Sequence, residues 1–531
     1  MASPSTSRLA WVALGSLVVG YVLIDLAAGA PDSPLVPPLP AGVRRPGWSS
    51  AGARWIGLDR LTGTGLTVAS IGLIVGVLAA FFLVLVEARR GRAGAGPVLV
   101  AAGLSLALSV AAPVLLSRDV YSYAAYGRMY ALHHSNPYVR LPSAFPSDPF
   151  VAVASPAWMD TRAVYGPAFV LAGAGVARAW AGSPGATIMA FKVLAGMGAA
   201  LATVLAAWAV ARSVRPGETP AQPELARGSV GLAAAAVGLN PVIVVHTVGG
   251  AHNDALIAAC LAGALALAVR RSNRAASLGV TALITLAGLI KVVVFPALLV
   301  WFWVLFRSSA RERRAHSSAL HVALALALCL AFSAPFLDSI RALTSVVALT
   351  SMEGWASPAR LVARGARALG SGIGGPAAAH IVGKVVVVGF LAFFAAAFIR
   401  FLRHRGADRT ALRADRLANT WGACILGLAL AIPYLLPWYA AWFLPFVALM
   451  SEGRLAMIGF AAAGLLALTG IPAEPGSVPG VWRDMVLGVH YGIAPIMLGL
   501  LVAWAGRVLR VGPTDTPEID AVPRMADRAR S

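Results

Sequence analysis

The chain has 531 residues, 59% of them hydrophobic and only 12% charged, where soluble globular proteins carry about 25% charged residues. Apolar stretches near membrane-spanning length recur along the whole chain without the ten-residue alternation of an outer-membrane barrel, so an all-α, polytopic membrane protein is expected. The formal charge of +21 is spread through loops instead of forming one basic patch, which argues for positive-inside topology and against nucleic acid as a partner.

The first apolar stretch, Leu9–Ala30, is too long for a signal-peptide core and reads as a retained helix, although Ala-Gly-Ala at its end resembles a cleavage site. Spans follow near 64–87, 97–116, 189–211, 229–248, 255–270, 275–290, 292–306, 319–337, 377–400, 417–436, 438–450, 455–470 and 485–506, about fourteen in all. Several are short, as broken or tilted helices lining a cavity would be. Arginine clusters at 89–92, 270–271, 307–314 and 400–416 fit one alternation, with these connections and both termini cytoplasmic. Tyr165–Trp180 must then be a juxtamembrane or re-entrant helix inside a long external loop, 117–188, because counting it as a span inverts every later connection. The expected organisation is a two-helix extension with a Pro-rich external loop at 1–96, a catalytic membrane domain at 97–510, and a disordered cytoplasmic tail at 511–531. Cys260, Cys329 and Cys424 all fall in apolar spans and imply neither disulfide nor thiolate metal site.

Chemistry-bearing residues concentrate on the external side of this map. The densest run, Ser117–Tyr138, opens with Arg118 and Asp119 just past a span. A carboxylate at a helix mouth can act as general base if it reaches the attacking hydroxyl; otherwise it is an interfacial acid paired with Arg118 or Arg128. Arg118, Arg128 and Arg140 have the fork geometry that matches phosphate. Tyr121, Tyr123, Tyr126, Tyr130 and Tyr138 offer flat faces for sugars or form an aromatic belt, and Asn136-Pro137-Tyr138 reads as a turn. Tyr165 lies at the far end of the loop. In Gly249-Gly250-Ala251-His252-Asn253-Asp254, three polar side chains share one short turn; helix capping is the plain alternative, and two ligands without a third make a weak metal signal. Lys291 either snorkels or binds a phosphate. The turn around Pro437, Trp438, Tyr439 and Trp442 walls a groove or anchors the interface. No nucleotide-phosphate loop, zinc-protease helix or Ser-His-Asp signature occurs, and a divalent metal is not indicated.

Taken together, five segments resemble the GT-C superfamily of polytopic glycosyltransferases. They are Arg118–Arg128 with Asn136-Pro137-Tyr138, Tyr165-Gly166-Pro167, Asn240-Pro241 with Ala251–Leu256, Ile290-Lys291, and Leu436–Trp442. The closer resemblance is to actinobacterial polyprenyl-phosphomannose-dependent α-(1→6)-mannosyltransferases, and it spans roughly residues 60–510. It implies a large first external loop bearing the catalytic acid, a place Asp119 occupies. It also implies a polyprenyl-phosphate-mannose donor and a lipid-linked mannan acceptor of phosphatidylinositol mannoside type. The activity would be inverting transfer in the elongation of lipomannan and lipoarabinomannan, at the external face of the cytoplasmic membrane. Arg118, Arg128 and Lys291 would then hold the donor phosphate. Tyr121, Tyr123, Asn136, Tyr138, Tyr165, His252, Asn253, Asp254, Trp438 and Tyr439 would line the sugar and acceptor sites. Another polyprenyl-linked sugar such as arabinose, transfer to protein, or a lipid or sugar transporter are the alternatives.

Overall fold

A computed structural model describes residues 6–213, 223–270, 274–308, 314–337, 353–405 and 414–510; the proposed tail at 511–531 lies outside the described residues. Among these the fold is all-helical, with no strand. The helices, numbered in chain order, begin with α1 (Arg8–Gly29), α2 (Gly47–Trp55), α3 (Gly63–Arg89), α4 (Ala95–Ala111), α5 (Asp119–Ala131), α6 (Pro156–Met159) and α7 (Pro167–Ala179). Next come α8 (Pro184–Ser213), α9 (Pro223–Gly238), α10 (Asp254–Arg270), α11 (Arg274–Ile290), α12 (Pro296–Ser308) and α13 (Arg314–Ser333). The last group is α14 (Pro358–Arg405), α15 (Ala414–Ala431), α16 (Ala440–Val447), α17 (Gly453–Ala467), α18 (Pro479–Gly488) and α19 (Ala494–Leu509).

Seven described segments are long and apolar enough to cross a membrane: 8–29, 63–89, 184–212, 230–248, 314–336, 374–403 and 479–509. Seven further apolar helices have 10–17 residues, so the chain is a multi-pass membrane protein.

Local sequence explains many boundaries. Helices α6, α7, α8, α9, α12, α14 and α18 all open on proline, whose missing N–H costs nothing in a first turn. The Ser7 side chain caps α1 by accepting from Ala10 N. Helix α14 is two helices joined at Gly374 and Gly375, the latter at φ +72°, just ahead of Pro376. Asn240-Pro241 ends α9, and Val242–Val248 continue as a wide π-helical turn. Two hydrogen bonds hold that turn: Asn240 Oδ1 accepts from Val242 N at 3.0 Å, and Ser109 Oγ donates to Val244 O at 2.7 Å.

Small side chains set the packing. Ala233–Ala236 of α9 are all fully buried, so neighbouring helices approach closely, as is usual where lipid supplies no hydrophobic drive. Helix α8 packs along α10, and α1 lies against α3 and α4. Tyr21 of α1 donates to Leu239 O at 2.6 Å, tying the N-terminal helices to the end of α9. Helix α7, at 13 residues, spans only about 20 Å and packs on α5. Gly127 allows that contact, because a Cβ there would lie 2.4 Å from the Gly173 carbonyl. The α5–α7 pair thereby seats the first turn of α5, with Asp119, over one end of the bundle.

Candidate active site

Four chain segments meet at that end: the start of α5, the turn before α10, the break between α11 and α12 at Lys291, and the turn before α16. Two of them begin with strained backbone. Leu116 (φ +59°) precedes Ser117, and Ala251 (φ +58°) precedes His252; each left-handed non-glycine residue costs about 1–2 kcal/mol.

Asp119 is the first residue of α5, its side chain 13% exposed. Its Oδ2 lies 3.6 Å from His252 Nδ1, which also shares a 3.2 Å hydrogen bond with the Tyr123 hydroxyl. The His252 ring stacks on Trp438, centroids 3.6 Å apart. Burial raises the Asp119 carboxyl to about 7, the charge of Asp254 adding to the rise while Lys291 and a Ser117 hydrogen bond oppose it. Burial and the nearby Lys291 charge push His252 down, so the imidazole is neutral and lies beside Asp119 without forming a salt bridge.

Beside this pair, Asp254 Oδ1 accepts from Lys291 Nζ at 3.0 Å and from Trp442 Nε1 at 2.6 Å. The Lys291 ammonium also sits 4.1 Å from the Tyr439 ring centroid, and Tyr439 stacks on Trp442 at 4.1 Å. Lys291 is only 4% exposed and so does not snorkel to water. Tyr165-Gly166-Pro167 docks on the end of α11: Gly166 N donates to Ile290 O at 2.9 Å, and a Cβ on Gly166 would fall 2.0 Å from Leu289 O. The Tyr165 ring meets Tyr123 edge-on at 4.8 Å, and the Tyr138 hydroxyl donates to Tyr165 O at 2.7 Å.

Unsatisfied polar atoms gather in the same place. His252 Nε2, Asn253 Oδ1 and Nδ2, Asp254 Oδ2 and Trp438 Nε1 are buried with no hydrogen-bond partner among the described residues. Buried polar atoms are normally bonded, so this cluster of donors and acceptors suits a hydroxyl-rich ligand. The unbonded Asn253 amide also rules out its side chain as a helix cap.

Other candidates lie apart. Arg118 forms an ion pair with Glu474. Arg128, at the far end of α5, donates to Asp148 Oδ2 at 2.7 Å and to Ala181 O at 2.9 Å. Neither arginine pairs with Asp119, so the interfacial-acid alternative fails in that form. Asn136 belongs to the Arg128 end, where its Nδ2 donates to Phe336 O at 3.1 Å. Tyr121 is fully buried with its ring 6.4 Å from Phe150. Among the described residues no three His, Cys, Asp or Glu come together as metal ligands.

Two features escaped the reading of the sequence. Lys192 of α8, fully buried, donates to Pro113 O at 2.7 Å and Gly249 O at 3.3 Å. It thus clamps the segment leading to Asp119 onto the turn carrying His252. The available signal was a lone lysine in an apolar span, which calls for a buried partner, and Asp25 of α1 is a buried carboxyl within electrostatic reach of it. The second is an apolar groove of ≈ 720 Å³ running along α10 from Leu256 to Leu267, bounded by Phe169, Trp208, Leu283 and Ile290. Its wall residue Ile290 immediately precedes Lys291, and no polar pattern marked it.

Residues 39–307 match the family model described as alpha-(1->6)-mannopyranosyltransferase, N-terminal domain. The chain belongs to this family. It is therefore a membrane mannosyltransferase, a glycosyltransferase by reaction class. Over 408 residues this mannosyltransferase is 28% identical to alpha-(1->6)-mannopyranosyltransferase A of Mycobacterium tuberculosis, covering 74% of the chain and 72% of the relative. A second relative, alpha-(1->6)-mannopyranosyltransferase A of Corynebacterium glutamicum, is 29% identical over 164 residues, or 31% of this chain and 30% of its own length. No solved structure matches.

Proposed function

We propose that the enzyme moves mannose from polyprenyl-phosphate-mannose to a lipid-linked mannan acceptor of phosphatidylinositol mannoside type, forming an α-1,6 linkage with inversion. The work is done at the external face of the cytoplasmic membrane, on a GT-C scaffold of about fourteen spans, and builds the core of lipomannan and lipoarabinomannan. The observation that carries this reading is the juxtaposition of the Asp119 carboxyl with the orphaned polar atoms of His252, Asn253, Asp254 and Trp438. The groove that ends at Ile290 has the apolar walls an isoprenoid tail requires.

In this mechanism Asp119 takes the proton of the acceptor hydroxyl as its oxygen attacks the anomeric carbon. The bond from that carbon to the phosphate oxygen breaks, and the phosphate leaves with the electron pair. The Lys291 ammonium balances the developing charge across the small space it shares with Asp254. His252 and Tyr123 fix the carboxyl, while Asn253, Trp438, Tyr439 and Tyr165 bind the sugar. Arg118, Tyr121 and Tyr138 support the walls, and Arg128 and Asn136 secure the far end of the loop.

Membranes containing the enzyme, offered labelled polyprenyl-phosphomannose and polyprenyl-phosphoarabinose in parallel, test the donor. Transfer of mannose and not arabinose is expected. The reverse preference would overturn the donor assignment.

A further inference from the structure

A second group of charged side chains lies just behind the Trp438 turn. The segment before α14 is pinned there, with Gly354 N donating to Pro433 O at 2.8 Å and Ser357 Oγ donating to Ile432 O at 2.9 Å. This places Arg360, in the first turn of α14, at the same end of the bundle as Asp119. Arg360 is 8% exposed, and its guanidinium carbon lies 3.6 Å from the centroid of the Trp355 ring. Buried arginines ordinarily have their N–H groups bonded, yet Nε and Nη1 of Arg360 have no hydrogen-bond partner among the described residues.

The neighbouring carboxylate does not meet that need. Arg367 Nη2 donates to both Glu353 oxygens, Oε1 at 2.7 Å and Oε2 at 2.8 Å, and the same Oε2 makes only a long 3.5 Å ion pair with Arg360 Nε. Arg364 adds a further positive charge that acts on Arg360, so among the described residues three guanidiniums share one carboxylate. His490, buried and edge-on to Trp355 at 6.5 Å, closes the far side with an unpartnered Nδ1. The positive end of the α14 dipole points the same way.

We propose that Arg360, held on Trp355 and flanked by Arg364 and Arg367, is a binding site for the phosphate of a membrane lipid. Nη1 has no partner among the described residues and Nε has only the long contact to Glu353, so the fork has donor capacity for an oxyanion, and the aromatic face holds it in place. Arg118 and Arg128 each have a carboxylate of their own, whereas Arg360 shares Glu353 with Arg367 and keeps an unbonded Nη1. The ligand is either the phosphate of the lipid-linked sugar donor or the phosphodiester of a bilayer lipid. The first deepens the proposed function and rests on it for the identity of the lipid; the anion site itself does not.

The test uses the full chain in phosphatidylcholine nanodiscs, titrated separately with polyprenyl phosphate and with phosphatidylglycerol. R360Q is expected to weaken polyprenyl phosphate binding at least tenfold, with R360K intermediate because an ammonium lacks the fork. D119N should bind polyprenyl phosphate like the wild type while failing in transfer, which separates this site from the catalytic reading. Weakened binding of phosphatidylglycerol alone would support the anion site with a bilayer headgroup as its ligand. Should R360Q not fold, W355A at a 38% exposed ring decides the matter by the same criterion. Unchanged binding of both lipids by the folded variant would overturn the proposal, leaving the arginine–tryptophan stack a structural contact.

Discussion

Asp119 combines two properties a base needs: it reaches water at the mouth of the bundle, yet burial lifts its carboxyl to about 7. Below that value it holds a proton and cannot take one from an acceptor hydroxyl; above it the carboxylate is free. The kcat/KM of transfer should therefore rise with pH through an apparent value near 7 and level off above it, and a profile already flat from pH 5 would contradict this. Lys291 and Asp254 form a buried pair, in which removing one charge strands the other. K291M is expected to destabilise the protein by about 3 kcal/mol, seen as a lowered thermal midpoint in detergent. K291M/D254N should recover most of that stability without recovering transfer. Recovery of both together would reduce the pair to a structural role. At this scale the sequence pointed to Asp119, His252, Asn253, Asp254 and Lys291, because each stands out in an apolar chain. It could not show which carboxylate each arginine takes, since Glu474 and Asp148 reach Arg118 and Arg128 through the tertiary fold.

At the level of elements, the site depends on breaks in helices more than on the helices themselves. The π-turn after Asn240-Pro241, the Lys291 break and the Pro437 turn each bring polar or aromatic side chains to one end of an apolar bundle. The Lys291 and Pro437 breaks were legible in the sequence, but the expected span 229–248 ran through Asn240-Pro241, and the expected span 438–450 falls on a helix of only eight residues. Helix α7 illustrates the limit of periodicity. Its apolar sequence suits a span, and the charge of later loops argued against one; the helix is 13 residues long and packed on α5. The Tyr165-Gly166-Pro167 seat is the most sensitive joint, because backbone lies where a Cβ would go. G166A should push Tyr165 off the end of α11 and lower transfer at least tenfold, with the helix content by circular dichroism unchanged. Wild-type activity in G166A would show that the joint does not shape the site.

Across the whole molecule, the charge alternation argues for an external 117–188 loop, and the chemistry proposed for it needs no nucleotide there. Ser147 is exposed in that loop, while Cys260 and Cys424 are buried. S147C in a C329S background should react with a membrane-impermeant maleimide in intact cells. Labelling only after permeabilisation would turn the molecule over and place the site on the inner side. The groove beside α10 was not legible in advance because its side chains are far apart in sequence. The Arg360 group is local to 353–367 apart from His490, but only the fold shows that the Arg360 guanidinium is buried on Trp355. The central claim concerns one carboxyl group, and transfer of labelled mannose by D119N tests it most directly. The account predicts a loss of at least about a thousandfold in rate, with expression and thermal midpoint matching the wild type. A folded D119N enzyme that keeps more than about a tenth of the wild-type rate would contradict it.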